Sequence, residues 1–310
     1  MDIRILGSAA GGGFPQWNCN ATFSRAVRSG SPGFSSRTQS SLAASANGKD
    51  WVLFNASPDI REQIAATPEL QPPAHGPLRD SPIRAVVLTN ADVDHIAGLL
   101  SLRERQRFTL YATARVLKTL AENSIFQVLN PELVPRRELP LGDIIPLEGP
   151  DGPLGLDIET FAVPGKVALF LEDASKDGFG TSEGDTVGLR ISQSDSRSAH
   201  LFYIPGCAAI DTPLLERLTG AEVLLFDGTV FTDTEMPDAG VGEKTGARMG
   251  HLAISGHSGS LAQLQDMPLS RKIFVHINNT NPILDPTSAA SRTVREAGWE
   301  VGYDGMELTL

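Results

Sequence analysis

The chain alternates from end to end between two kinds of segment, and this limits its fold more than any other feature. Short apolar runs of strand character lie at residues 3–6, 51–54, 86–89, 108–112, 156–161, 187–191, 201–204, 223–226 and 273–276. Between them, residues 60–66, 96–105, 114–123, 213–218, 258–265 and 288–297 have helical character. The last of these has Asp285-Pro286 as its start signal and Gly298 as its stop. Interleaving in both halves excludes an all-α or all-β architecture and predicts an α/β protein. Hydrophobic residues are 41% of the 310, enough for a packed core.

Three stretches predict loops. Residues 7–38 are rich in Gly, Ser and Pro, with Gly11-Gly12-Gly13 near the start. Residues 67–82 carry Pro68, Pro72, Pro73, Pro77 and Pro82, and residues 232–248 are polar and contain glycine. The formal charge is 26 − 37 = −11, which argues against a nucleic-acid-binding surface. No apolar run approaches the ~18 residues of a membrane span. The opening Met1-Asp2-Ile3-Arg4-Ile5-Leu6 is broken too early by Gly7 for a signal peptide. Two cysteines, Cys19 and Cys207, are too few for a disulfide framework. A soluble, cytoplasmic protein is expected.

Four places concentrate chemistry. The apolar run Val86-Val87-Leu88 passes through Thr89 into Asn90-Ala91-Asp92-Val93-Asp94-His95. Oxygen donors and an imidazole at the carboxyl end of a strand stand where α/β folds place ligands and metals. The same aspartates also suit a helix N-cap. A second run, Ile273-Phe274-Val275, ends in His276-Ile277-Asn278-Asn279-Thr280-Asn281. A third, Leu224-Leu225-Phe226, ends at Asp227, and Met249-Gly250-His251 closes the third loop. Each has an ordinary structural reading by itself; their recurrence at strand ends points to one site.

The spacing Asn90-x-Asp92-x-Asp94-His95 resembles the His-x-His-x-Asp-His motif of the metallo-β-lactamase superfamily, with both leading histidines replaced. More narrowly, four strings resemble the family of B proteins of pyrroloquinoline quinone biosynthesis: residues 90–99, Phe226-Asp227-Gly228-Thr229, Met249-Gly250-His251, and His276-Ile277-Asn278-Asn279-Thr280-Asn281-Pro282. So do Gly11-Gly12-Gly13-Phe14-Pro15-Gln16-Trp17-Asn18-Cys19 and Gly302-Tyr303-Asp304-Gly305-Met306. The resemblance implies a four-layer αββα sandwich, a single domain over residues 1–310, with a metal at one edge.

Departures from the superfamily pattern sharpen the expectation. Asn90, Asp92 and Lys166 occupy positions where hydrolytic members carry histidines, and an ammonium offers no lone pair to a metal. Asp94, His95 and His276 remain. Two imidazoles and a carboxylate are the set that holds non-haem Fe(II) with open positions. A single Fe(II) is therefore expected, with Asp92 and Asp227 as further carboxylate donors and zinc as the alternative occupant. Where relatives carry Cys-x-Cys-x-x-Cys, this chain has Cys19, Ala21 and Ser24, and one thiolate cannot hold a structural zinc.

The resemblance further implies proton transfer or substrate contact by His251, and substrate contacts from Asn278, Asn279 and Lys166. The implied reaction is hydroxylation of a tyrosine ring in a cross-linked glutamate–tyrosine precursor, with other proteins of that biosynthesis as the implied partners. Two rivals stay open: a zinc-dependent hydrolase, and a soluble carrier that takes the quinone or its precursor towards the periplasm.

Overall fold

A computed structural model describes residues 1–196 and 199–310. The first half of the chain builds one sheet from β1 (Asp2–Gly7), β2 (Ser41–Ser45), β3 (Trp51–Phe54), β4 (Ile83–Val87), β5 (Thr109–Ala112) and β6 (Arg136–Glu138). The second half builds another from β7 (Ile144–Gly149), β8 (Gly152–Ala162), β9 (Val187–Gln193), β10 (His200–Ile204), β11 (Val223–Asp227), β12 (Arg271–Val275) and β13 (Glu300–Val301). The last strand, β14 (Met306–Thr309), returns to the first sheet beside β1. The strand orders are β14-β1-β2-β3-β4-β5-β6 and β13-β12-β11-β10-β9-β8-β7.

Both sheets are mixed. β3 to β6 run parallel, as do β10 to β13, whereas the β1–β2–β3 and β7–β8–β9–β10 ladders are antiparallel. Parallel strands buried on both faces need near-continuous apolar sequence. This is why Trp51–Phe54 and Val223–Phe226 read as unbroken runs rather than alternations.

One core lies between the sheets, where Ile5, Phe54 and Val87 meet Leu189, Leu225 and Ile273. The outer face of the first sheet packs Val86 and Leu110 against Ile60, Val116 and Leu120 from helices. The outer face of the second packs Phe226 and Phe274 against Leu214, Val294 and Trp299. The layers are thus helix, sheet, sheet, helix, as the resemblance implied. None of the described helices is long and apolar enough to cross a membrane.

The sequence reading missed β2, β6, β7, β13 and β14, and placed a helix at 96–105 that is not there. Instead an α-turn Val93–Ile96 passes into a 3-10 turn Ala97–Leu100. Tertiary hydrogen bonds explain the change: the His95 carbonyl accepts from Ala56 N at 2.8 Å, and Gly98 N donates to Ala56 O at 2.8 Å. Within the stretch read as a loop, Thr22–Arg28 forms a helix.

Candidate metal centre

Three strand ends build the site. After β4, the Asn90 side-chain oxygen accepts from Asp92 N at 3.0 Å and turns the chain into Val93–Ile96. Asp92 is the N-cap of that turn but its side chain makes no capping bond, so capping does not account for the aspartates. β11 delivers Asp227. β12 ends at Val275, and His276 follows with φ 56, a left-handed conformation that costs a non-glycine residue free energy. Surrounding contacts hold it there: Thr229 Oγ1 lies 2.9 Å from His276 O, and Ile277 N donates to Ser8 O at 2.8 Å.

The fourth segment arrives through a tight stop. Gly250 adopts φ 86 at the end of the helix Gly246–Met249, and His251 N bonds back to Gly246 O at 2.9 Å. A side chain at Gly250 would also collide with Lys166, whose Cγ would stand 2.8 Å from the new Cβ.

Asp94, His95 and His276 converge. His276 Nε2 is 3.1 Å from Asp94 Oδ2, and His95 Nε2 is 3.9 Å from the same oxygen. Their donor atoms lie within 4.8 Å of one another. A second group, Asp227, His251 and His276, meets the same criterion and shares His276. His251 Nδ1 is 2.7 Å from Asp227 Oδ2.

Burial governs the charges. It pushes His95 down to about 4, leaving it a neutral imidazole. Burial also opposes ionisation of Asp94, but electrostatic attraction to the His95 and His276 rings and the hydrogen bond from His276 outweigh it and hold the carboxyl below its usual range. His276 is correspondingly raised: burial alone would lower it, and Asp94, Asp227 and Asp92 override that. Asp92 is raised, first by burial and then by repulsion from Asp94.

These residues fit a metal cation. Among the described residues His95 Nε2 is buried without a hydrogen-bond partner, although His95 Nδ1 is occupied by Thr89 Oγ1 at 3.3 Å. A buried ring nitrogen with a lone pair and no donor is costly unless a cation uses it.

The other expected site residues divide. Asp92, Asn278, Lys166 and His251 line a cavity of about 270 Å³ together with Asp94, His95 and His276. Asp92 belongs to neither donor group; its oxygens accept from Asn90 Nδ2 at 3.2 Å and Leu169 N at 3.3 Å. Asp227 sits beneath His251 on four protein donors: Cys207 N, Thr229 N, Thr229 Oγ1 and His251 Nδ1. Asn279 does not line the cavity, and donates instead to Gln16 Oε1 at 2.6 Å, a residue that does. Lys166 Nζ is held by Glu172 Oε1 at 2.8 Å. Cys19 is buried, its Sγ 3.6 Å from Asn279 Oδ1 and 3.4 Å from Ala21 N.

Sequence reasoning gave no role to the residues behind the histidines. Thr89 Oγ1 contacts Asn55 Oδ1 at 3.1 Å, and Asn55 Nδ2 reaches Tyr203 OH at 3.4 Å, which meets Ser40 Oγ at 3.2 Å. Thr229 Oγ1 stands between His276 Nδ1 at 2.7 Å and Asp227 Oδ1 at 2.6 Å. A polar residue following a strand beside a metal-type cluster was the available signal in both threonines.

Comparison with known proteins accords with this geometry. Residues 50–277 match the model of the β-lactamase superfamily domain. The chain is 49% identical to coenzyme PQQ synthesis protein B of Xanthomonas campestris pv. campestris and 51% identical to that of Methylobacterium nodulans, each over 100% of both chains. The crystal structure of Zn(2+)-bound PqqB from Methylobacterium extorquens superposes with a TM-score of 0.93 at 48% identity, covering 100% of both chains. A diphosphatase of the PhnP family shares the fold, with a TM-score of 0.66 at 21% identity over 100% of this chain and 97% of the other. The chain belongs to the β-lactamase superfamily and, within it, to the family of coenzyme PQQ synthesis B proteins.

Proposed function

We propose that the protein acts in pyrroloquinoline quinone biosynthesis as a mononuclear iron oxygenase, a single domain of 310 residues that hydroxylates the tyrosine ring of a cross-linked glutamate–tyrosine precursor. The observation that carries this reading is the donor set. Asp94, His95 and His276 form a two-imidazole, one-carboxylate group with an unpartnered buried His95 Nε2. Against a two-metal hydrolase stands the chemistry of the remaining positions. Asn90 and Asp92 bond each other at 3.2 Å, Lys166 is paired with Glu172, and all four contacts of Asp227 are taken by protein donors. A relative at 48% identity binds Zn(2+), which supports metal binding in this family, and the donor set supports iron as the working ion here.

Asp94, His95 and His276 would hold Fe(II), which would supply activation of O₂ when bound. The reaction converts a ring C–H to C–OH with one oxygen atom of O₂; the other leaves as water with two electrons and two protons from an external reductant. His251 serves as the proton acceptor for the phenol. Its Nδ1–H donates to Asp227 Oδ2 at 2.7 Å, which leaves the lone pair on Nε2 of a ring that lines the cavity. Asn278, on the cavity wall, offers an amide to the polar substrate.

The test is anaerobic loading with Fe(II), followed by air, ascorbate and a tyrosine-containing precursor, read by mass spectrometry. A gain of one oxygen atom is expected. No gain with iron, together with hydrolytic turnover by a protein holding two zinc ions, would replace this reading with the hydrolase.

A further inference from the structure

We propose that Asp304 is a positioning residue, a role that rests on the metal centre at Asp94, His95 and His276 and reaches it through residues 8–11. Asp304 belongs to neither donor group and does not line the cavity. It stands in the Gly302-Tyr303-Asp304-Gly305-Met306 string, which the proposed reaction leaves unused.

The string places Asp304 where the two sheets meet. Gly302 N donates to Phe274 O on β12 at 2.9 Å, and a Cβ at Gly302 would stand 2.9 Å from the same oxygen. Gly305 adopts φ 84 and donates to Ile5 O on β1 at 2.8 Å, just before Met306 opens β14. Glycine suits both demands, close approach at 302 and left-handed backbone at 305.

From this joint the carboxylate divides evenly between two residues. Oδ1 accepts from Ser8 N at 2.9 Å and Ser8 Oγ at 2.7 Å; Oδ2 accepts from Thr38 N at 2.6 Å and Thr38 Oγ1 at 2.8 Å. Arg37 braces the same corner, donating to Ser8 Oγ at 3.1 Å and to Gly302 O. Hydrogen bonds to an ionised acceptor are stronger than neutral ones, so the start of residues 8–11 is firmly held.

The far side of that segment meets the metal donors. Ser8 O accepts from Ile277 N at 2.8 Å, and Ala10 N donates to Ile277 O at 2.9 Å. Both peptide groups of Ile277 are thereby fixed, and with them the backbone of His276 at φ 56. Gly11 then lines the cavity, where a Cβ would stand 3.5 Å from Asp94 Oδ2. One segment thus abuts two of the three donors. Released from Asp304, it would let His276 relax out of a costly left-handed backbone and carry Nε2 away from Asp94.

The probe is Co(II), titrated into the full-length protein and read by its visible ligand-field absorption, which reports the geometry of the donors. Asp304→Asn turns an acceptor of two hydrogen bonds into a donor. It should raise the Kd for Co(II) about tenfold, the lower end for groups that orient ligands, and change the spectrum of the bound ion. Ser8→Ala is a milder lesion that keeps the Ser8 N bond, and should raise the Kd about threefold. Met306→Ala removes core packing two residues away, and should lower stability to urea while spectrum and Kd stay native. A native spectrum and Kd in folded Asp304→Asn overturns the positioning role; if that variant does not fold, native binding by Ser8→Ala overturns it. An equal spectral change in Met306→Ala does the same, because lost stability alone would explain it. Wild-type protein that takes up no Co(II) removes the metal centre, and the positioning role with it. Hydroxylation does not enter the measurement, so its absence bears on the oxygenase alone.

Discussion

The hydroxyl of Thr229 lies 2.7 Å from Nδ1 of His276 and 2.6 Å from Oδ1 of Asp227. One hydroxyl thus joins a carboxylate to an imidazole 47 residues beyond the threonine. With Nδ1–H donated to the threonine oxygen and the threonine proton donated to Asp227, a cation beside Asp94 would meet the Nε2 lone pair of His276, in place of the Nε2–H that donates to Asp94 without one. Thr89 does the same for His95, but its backing group is the neutral Asn55 amide at 3.1 Å. Partners of this kind fix tautomer and ring orientation and raise ligand basicity.

Replacement of Thr229 by valine keeps the shape and removes the hydroxyl. It should weaken metal binding by about 10–100-fold, measured by competition with a chromogenic chelator, while circular dichroism stays native. Thr89→Val should cost less, because it severs His95 from an amide rather than a carboxylate. Equal, negligible losses in both would remove the positioning role.

Asp94→Ala and His276→Ala each delete a donor that the cavity shares with no substitute. Both variants are expected to retain the fold and to hold well below one tenth of a metal ion per chain by elemental analysis, with hydroxylation lost in parallel. Full metal content in either would show that the ion sits elsewhere.

The edge of the molecule that matters was legible because β4, β11 and β12 are apolar runs that each break into polar residues where the strand ends. β2 was hidden by its small residues: Ser41 and Ser45 are buried only because their hydroxyls bond Asn55 O at 2.8 Å and Asp50 O at 2.7 Å. The helix expected over 96–105 fails for a reason no periodicity holds, since Gly98 lies against the backbone of Ala56 and Ser57. Thr229 stood in a recognised string, but its role depends on a backbone turn at His276 that residue types do not announce.

Gly98 tests that packing directly. A Cβ there would stand 2.1 Å from Ser57 O and 2.7 Å from Ala56 O, both backbone atoms that cannot rotate away. Gly98→Ala should lower stability by about 3 kcal/mol, at the upper end for overpacking, in urea unfolding. Because the Ala56–His95 bond shares this backbone, metal affinity should fall as well. A stable variant with native metal affinity would contradict the close approach.

Glu235 supplies the pH dependence. Burial pushes its carboxyl up to about 7, against weaker opposing effects of Thr280 Oγ1 at 2.7 Å and Phe231 N at 2.6 Å. The folded state therefore holds a proton that the unfolded chain releases near the ordinary value of 4.5. The stability this proton contributes is complete below about pH 4.5 and is lost as pH rises through about 7, a change of at most roughly 3 kcal/mol. Glu235→Gln cannot ionise and removes this component. Between pH 5 and 8 the wild-type protein should lose stability relative to the variant in paired urea titrations, and Thr280 should retain its contact through Asn278 Nδ2 at 2.8 Å. Parallel pH profiles would mean that Glu235 is already ionised in the folded protein.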